Sequence, residues 1–145
     1  MSAGSPRPLR IVVVGGGSTY TPELADGIAR LGDALPVGQL VLVDPNIERA
    51  RIVAGLCARI LTSSGSSCIV EATTDLEAAA TGADAVLLQL RVGGQAARAR
   101  DEAWPLDCGC IGQETTGAGG LEKAMRTIQI VLDIAARARA VKPEA

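Results

Sequence analysis

Histidine and phenylalanine are both absent from this 145-residue chain, and Trp104 and Tyr20 are its only tryptophan and tyrosine. Without imidazole it lacks the side chain that most often serves as a general base or metal ligand near neutral pH. Any triad or zinc centre would have to be built from other groups. With so few aromatic rings, stacking platforms for nucleobases and walls for sugar rings are largely excluded. Charge of one sign is also lacking: 14 basic and 16 acidic side chains leave a net charge of −2. No basic face is available to neutralise a run of phosphates, so nucleic acid is not an expected partner. No apolar run approaches the ~20 residues of a membrane span. The run after Arg10 extends only from Ile11 to Val14 before glycines intervene, which is too short for a secretory leader.

What is present describes a folded chain. A hydrophobic fraction of 48% with 21% charged residues is ordinary for a globular protein, and the length suits one domain. The core must come from Ala, Val, Leu and Ile. Cys57, Cys68, Cys108 and Cys110, in a chain without an export signal, point to a reducing cytoplasm. Cys108-Gly109-Cys110 has the look of half a metal site, but no second Cys or His pair completes it, so the thiols are read as structural.

Residues 1–8 are small, polar and proline-bearing and read as a flexible leader. Leu9 to Val14 is a β-branched run without polar alternation, the pattern of a strand covered on both faces in a parallel sheet. Gly15-Gly16-Gly17 ends it, and Thr21-Pro22-Glu23 reads as N-cap, first helical residue and first-turn acid of a helix to about Arg30. Gln39 to Val43 is a second strand, closed by Asp44. Apolar residues from Ile47 to Leu61 recur at helical spacing. Cys68 to Ala72, Asp75 to Ala80 and Ala85 to Leu90 give strand, short helix and strand. Residues 91–120, interrupted by glycines, read as a functional loop region. Ala124, Met125, Ile128, Val131, Leu132 and Ala135 mark one apolar stripe on a helix from Leu121 to about Val141. The fold expected is α/β: a Rossmann-like, doubly wound, mainly parallel sheet in a nucleotide-binding domain over residues 9–145.

Glycines between a buried strand and a helix start suit an anion, because unpaired backbone N–H groups and the positive end of the helix dipole both point there. Gly15 would allow the tight turn and Gly17 the close approach of backbone to a diphosphate, while Tyr20 fills the slot of the third fingerprint glycine. Asp44, at the end of strand two, can accept hydrogen bonds from ribose hydroxyls and repel a 2′-phosphate, which favours NAD over NADP. Each feature also has a plain reading, the glycines as a structural turn and Asp44 as a turn aspartate before Pro45-Asn46.

In order, GGGSTYTPEL, LVD, GADAVLLQLRVGG, DEAWPL and IGQETTGAGGLEKAMRTI resemble glycoside hydrolase family 4, in particular its 6-phospho-β-glucosidase branch. The likeness runs from Leu9 to Val141, and RVGG with GQETTG carries most of its specificity. The resemblance implies an NAD-dependent glycosidase, with Mn2+ or another divalent metal, acting on a phosphorylated β-glucoside. Hydrolysis would proceed by oxidation at C3 of the sugar, deprotonation at C2 and elimination, an exception to the two-carboxylate route. It assigns Gly15, Gly16, Gly17, Ser18 and Thr19 to the cofactor phosphates and Asp44 to the ribose. It assigns Arg98 and Arg91 to the substrate, and Glu114 to a carboxylate that raises the basicity of a tyrosine base. The plain readings are that Arg98 and Arg100 are exposed and paired with Asp101 or Glu102, and that Glu114 is solvated or caps the following segment.

The family's Cys and His metal ligands, its acid and its tyrosine base have no counterpart in these residues. The resemblance therefore implies an amino-terminal cofactor domain, without metal ligands and inactive alone, from an enzyme that forms homo-oligomers when complete. Ile128, Val131 and Leu132 are then expected to face water in part, with marginal stability or association as the result. The other readings are a 2-hydroxy-acid dehydrogenase-like oxidoreductase, which shares the strand–glycine–helix start, and a non-catalytic fragment.

Overall fold

The computed structural model describes residues 7–142; most of the leader, residues 1–6, and the last residues lie outside them. The described chain forms two compact units. The first comprises residues up to Gln89 together with those from Arg137 onward, and the second is Leu90–Ala136.

In the first unit, β1 (Leu9–Val14) is followed by α1 (Thr21–Leu31), a 3-10 turn, and β2 (Val37–Val43). Next come α2 (Ile47–Ser63), β3 (Ile69–Thr73), α3 (Leu76–Ala80) and β4 (Ala85–Leu88). The sheet is wholly parallel, in the order β3-β2-β1-β4. β1 is central, with Val12 opposite Val41 on one side and Val86 on the other.

Strand alternation sorts the core into two faces. Ile11, Val13, Leu40 and Leu42 pack with Ala25 and Ile28 of α1 and with Ala54, Cys57 and Leu61 of α2. Val12, Val14, Val41 and Val43 are also buried and point the other way, and α3, with Leu76, Ala79 and Ala80 buried, packs on β1 and β2. Burial on both faces explains why these strands lack polar alternation. Asp75 caps α3, its carboxylate accepting from the Ala78 N–H at 2.9 Å; Asn46 does the same for α2 from Arg49 at 3.0 Å.

The second unit corrects the loop reading of residues 91–120. α4 (Gly94–Asp107) occupies much of that stretch, and α5 (Gly117–Val141) begins earlier than Leu121. The glycines that suggested a loop flank α4 instead of interrupting it: Gly93 and Gly94, with φ of +81° and +63°, open the helix, and Gly109 follows it. Between them Gln95 to Trp104 contains no glycine or proline and is rich in alanine and arginine, both good helix formers. A Cβ at Gly119 would strike the carbonyls of Asp101 and Gln113, so the first turn of α5 lies directly on the α4 backbone.

One buried ion pair ties this unit together. Asp101 on α4 is 1% exposed, and its two carboxylate oxygens accept from Nη1 and Nη2 of Arg126 on α5 at 3.0 and 2.6 Å. Arg126 Nε donates to the Val92 carbonyl at 3.1 Å, so one guanidinium joins α4, α5 and the segment before α4. On the expected apolar stripe of α5, Met125, Ile128 and Leu132 are exposed, at 76%, 56% and 58%.

Candidate functional site

The glycine loop follows β1 and is moored to the end of β2. The N–H groups of Gly15 and Gly16 both donate to the Val43 carbonyl, at 2.8 and 3.1 Å, and Gly17 N–H donates to Asp44 Oδ2 at 3.0 Å. Ser18 N–H turns back to the Gly15 carbonyl at 3.0 Å. Gly15, at φ +85°, takes a backbone conformation that side chains disfavour, as a tight turn requires. Gly16 and Gly17 are buried, and the space of their missing side chains is filled from within: a Cβ on Gly16 would lie 2.6 Å from Leu42 Cβ, and one on Gly17 would lie 2.8 Å from Asp44 Oδ2. These two glycines are thus demanded by the loop's own packing on β2.

With the amides of Gly15 to Ser18 engaged inside the protein, the loop presents Ser18, half-buried, and Thr19, exposed, at the start of α1. Their hydroxyls and the positive helix end suit a diphosphate. Asp44, half-buried, accepts from Gly17 N–H through Oδ2 and from Asn46 N–H at 2.9 Å through Oδ1. The turn-aspartate reading therefore describes its backbone contacts. Each carboxylate oxygen keeps a second lone pair, so a ribose diol can still be accepted. On chemistry and placement these residues fit the diphosphate and ribose of NAD.

Two features were not anticipated from sequence. The helix cap is Tyr20, not Thr21, and Thr21 is fully buried with its hydroxyl accepting from Gln89 Nε2. Gln89 N–H donates to the Val14 carbonyl at 3.0 Å, so the residue after β4 locks the start of α1 to the end of β1. β4 and β2 flank β1 on opposite sides. Strand order reverses there, and the loop sits at the carboxyl ends of the strands, where open α/β sheets bind ligands. An amide reaching back to a threonine hydroxyl has no signature in a single sequence, so Gln89 does not stand out there.

In the second unit, Glu114 Oε2 accepts from Arg91 Nη1 at 2.6 Å, and Arg98 Nε lies 3.5 Å from the same oxygen. Arg98 Nε also donates to Glu102 Oε1 at 2.7 Å, so its anticipated pairing with Glu102 occurs alongside its approach to Glu114. Glu114 is neither freely solvated nor a helix cap: its side chain is 18% exposed. Three predicted site residues, Arg91, Arg98 and Glu114, are thereby brought together. Arg91, foremost through its hydrogen bond, holds the Glu114 carboxyl below its ordinary value, and Arg126 does the same for Asp101.

Both folded-state values lie below the ordinary ones of 4.5 for Glu114 and 3.8 for Asp101. Their contribution to stability is therefore complete above those ordinary values and is lost as pH falls through the lowered ones. Far-UV circular dichroism in a fixed, sub-denaturing urea concentration is expected to stay level down to about pH 4.5 and then to lose helical signal. Loss of helix beginning near neutrality would contradict this.

Among the described residues, no group of three His, Cys, Asp or Glu side chains could hold a metal ion. The donor set among those residues does not fit a divalent metal centre. Among the same residues, no helix is long and apolar enough to cross a membrane.

The profile of the family 4 glycosyl hydrolases matches residues 10–145. The chain is 47% identical over 129 residues to a probable 6-phospho-β-glucosidase of Bacillus subtilis, covering 88% of this chain and 29% of that protein. It is 44% identical over 128 residues to a 6-phospho-β-glucosidase of Escherichia coli, covering 87% and 28%. Among solved structures, a 6-phospho-α-glucosidase from gut microorganisms in complex with NAD and Mn2+ superposes with a TM-score of 0.88 at 32% identity, over 96% of this chain and 32% of that one. The Thermotoga maritima 6-phospho-β-glucosidase with NAD and glucose-6-phosphate gives 0.83 at 36%, over 92% and 32%. The chain spans 28–29% of the length of these two curated relatives. With its parallel sheet, its moored glycine loop and a match over nearly its whole length, the chain belongs to the family 4 glycosyl hydrolases.

Proposed function

We propose that this chain is the NAD-binding portion of a 6-phospho-β-glucosidase and that it binds NAD but hydrolyses nothing alone. The observation that carries the reading is the glycine loop tied by Gly17 N–H to Asp44 at the end of the neighbouring strand. Ser18 and Thr19 face the diphosphate and Asp44 takes the ribose hydroxyls, its charge disfavouring a 2′-phosphate. The similarity to B. subtilis and E. coli proteins named as β-glucosidases supports the β branch.

The whole reaction in this reading is oxidation at C3 of the phosphorylated sugar, loss of the C2 proton and elimination of the C1 group, followed by addition of water. Bound NAD supplies the hydride exchange. Arg98 and Arg91 offer fixed donors for sugar hydroxyls or phosphate. Glu114, kept ionised by Arg91, contributes a negative charge beside the base that takes the C2 proton. The divalent metal, the acid and the base belong to the complete enzyme, for which we further propose a cytoplasmic setting and a homo-oligomeric state.

Calorimetric titration of the folded chain tests this. NAD is expected to bind and NADP not to, and Asp44→Asn is expected to weaken NAD about tenfold, equivalent to about 1.4 kcal/mol, with the circular dichroism spectrum unchanged. No turnover of a chromogenic 6-phospho-β-glucoside is expected. An absence of NAD binding by folded protein, equal binding of NADP, or glycosidase turnover by this chain would overturn the proposal.

A further inference from the structure

The four cysteines fall into two chemical classes. Cys57 is buried and its thiol is pushed up to about 11 by desolvation. Cys68 is partly covered, and burial raises it too. Cys108 and Cys110 are both exposed and free, on one turn at the end of α4.

That turn is tightly built. The N–H groups of Cys108 and Cys110 donate to the same Pro105 carbonyl, at 3.1 and 2.8 Å, and Gly109 N–H donates to the Leu106 carbonyl at 3.0 Å. Gly109, at φ +70°, supplies the reversal that a side chain would resist. Cys110 Sγ lies 3.8 Å from the Cys108 carbonyl oxygen, so the second thiol folds back over the first residue. Two Cα–Cα steps bent at a turn fall well short of their roughly 7 Å extended span, within the range of roughly 4.4–6.8 Å seen in bridged cysteines.

We propose that Cys108 and Cys110 form a dithiol modification site that reacts with low-molecular-weight disulfides such as glutathione disulfide and closes to a Cys108–Cys110 disulfide. One thiolate attacks the small disulfide, whose S–S bond breaks; a protein–glutathione S–S bond forms and one glutathione thiolate leaves. The second thiolate then attacks the bonded protein sulfur, forming the Cys108–Cys110 bond and expelling the second glutathione. Two protein thiols are oxidised, one external disulfide is reduced to two thiols, and the two protons go to solvent or to the departing thiolates. Bridges that form readily in reducing compartments are reversible ones. This site is independent of the cofactor reading.

The experiment treats the full chain with excess glutathione disulfide and then with a maleimide under native conditions, with intact-mass detection. At Cys108 and Cys110, followed by peptide mapping, maleimide-reactive thiols are expected to fall from two to none, with two hydrogens lost, no glutathione retained on either and full recovery on adding dithiothreitol. Cys108→Ser and Cys110→Ser, exposed and nearly isosteric changes, are each expected to retain one glutathione. Wild-type protein that keeps glutathione on both cysteines, forms disulfide-linked dimers, or loses no reactivity would overturn the proposal.

Discussion

Asp101→Ala is expected to lower stability by about 3 kcal/mol, the larger part of it from leaving a guanidinium without its counter-charge. Asp101 is 1% exposed and both its oxygens are committed to Arg126, so the substitution removes two charge-assisted hydrogen bonds at once. Arg126 would still be held by the Val92 carbonyl and by Glu122, 3.6 Å away on its own helix. Those partners keep the effect at the lower end of what breaking a buried pair costs. Replacing both partners, Asp101→Leu with Arg126→Met, is expected to recover much of the loss, since no orphaned charge remains. Urea unfolding reads the difference as a shift in midpoint at constant slope. An unchanged midpoint for Asp101→Ala would show that the fork is incidental.

Gly16→Val is expected to destabilise the first unit by about 3 kcal/mol, the upper part of the range for overpacking, and to lower NAD affinity at least tenfold. A Cβ there would lie 2.6 Å from Leu42 Cβ, 2.8 Å from Leu42 Cα and 3.0 Å from the Val13 carbonyl oxygen. Leu42 is fully buried and its Cα belongs to β2, so neither neighbour can step aside without moving the sheet. Gly17→Ala provides the contrast. Its Cβ would meet the Asp44 carboxylate, which can rotate away, so the cost in stability is expected near 1 kcal/mol, while NAD affinity falls through the displaced Asp44. Equal stability losses for the two variants would contradict this account of the loop.

The parallel sheet was legible because burial on both faces leaves its mark residue by residue, as in Ile11 to Val14 and Leu40 to Val43. Strand ends were harder to place: β4 stops at Leu88 instead of Leu90, and β2 starts at Val37 instead of Gln39, because pairing with β1 sets those limits. The density of glycines over residues 91–120 masks α4, because their positions and not their number decide where a helix can run. Gly93 and Gly109 bound a helix whose interior is helix-favouring. At the candidate site, Asp44 and the glycines stood out through their order along the chain. The grouping of Arg91, Arg98 and Glu114 came only from family likeness, since pairing across more than twenty positions leaves no local pattern. Asp101 and Arg126 were not anticipated as a pair, being two charges among many until burial distinguishes them.

The scarcity of aromatic rings has a practical use. The single indole, on Trp104, rides on α4 in the second unit, and the single phenol, on Tyr20, caps α1 beside the glycine loop in the first. Each unit therefore carries its own intrinsic optical label. Emission excited at the red edge of the indole band follows α4 alone, so melting of the second unit can be read without interference from the phenol of the first in the unmodified protein.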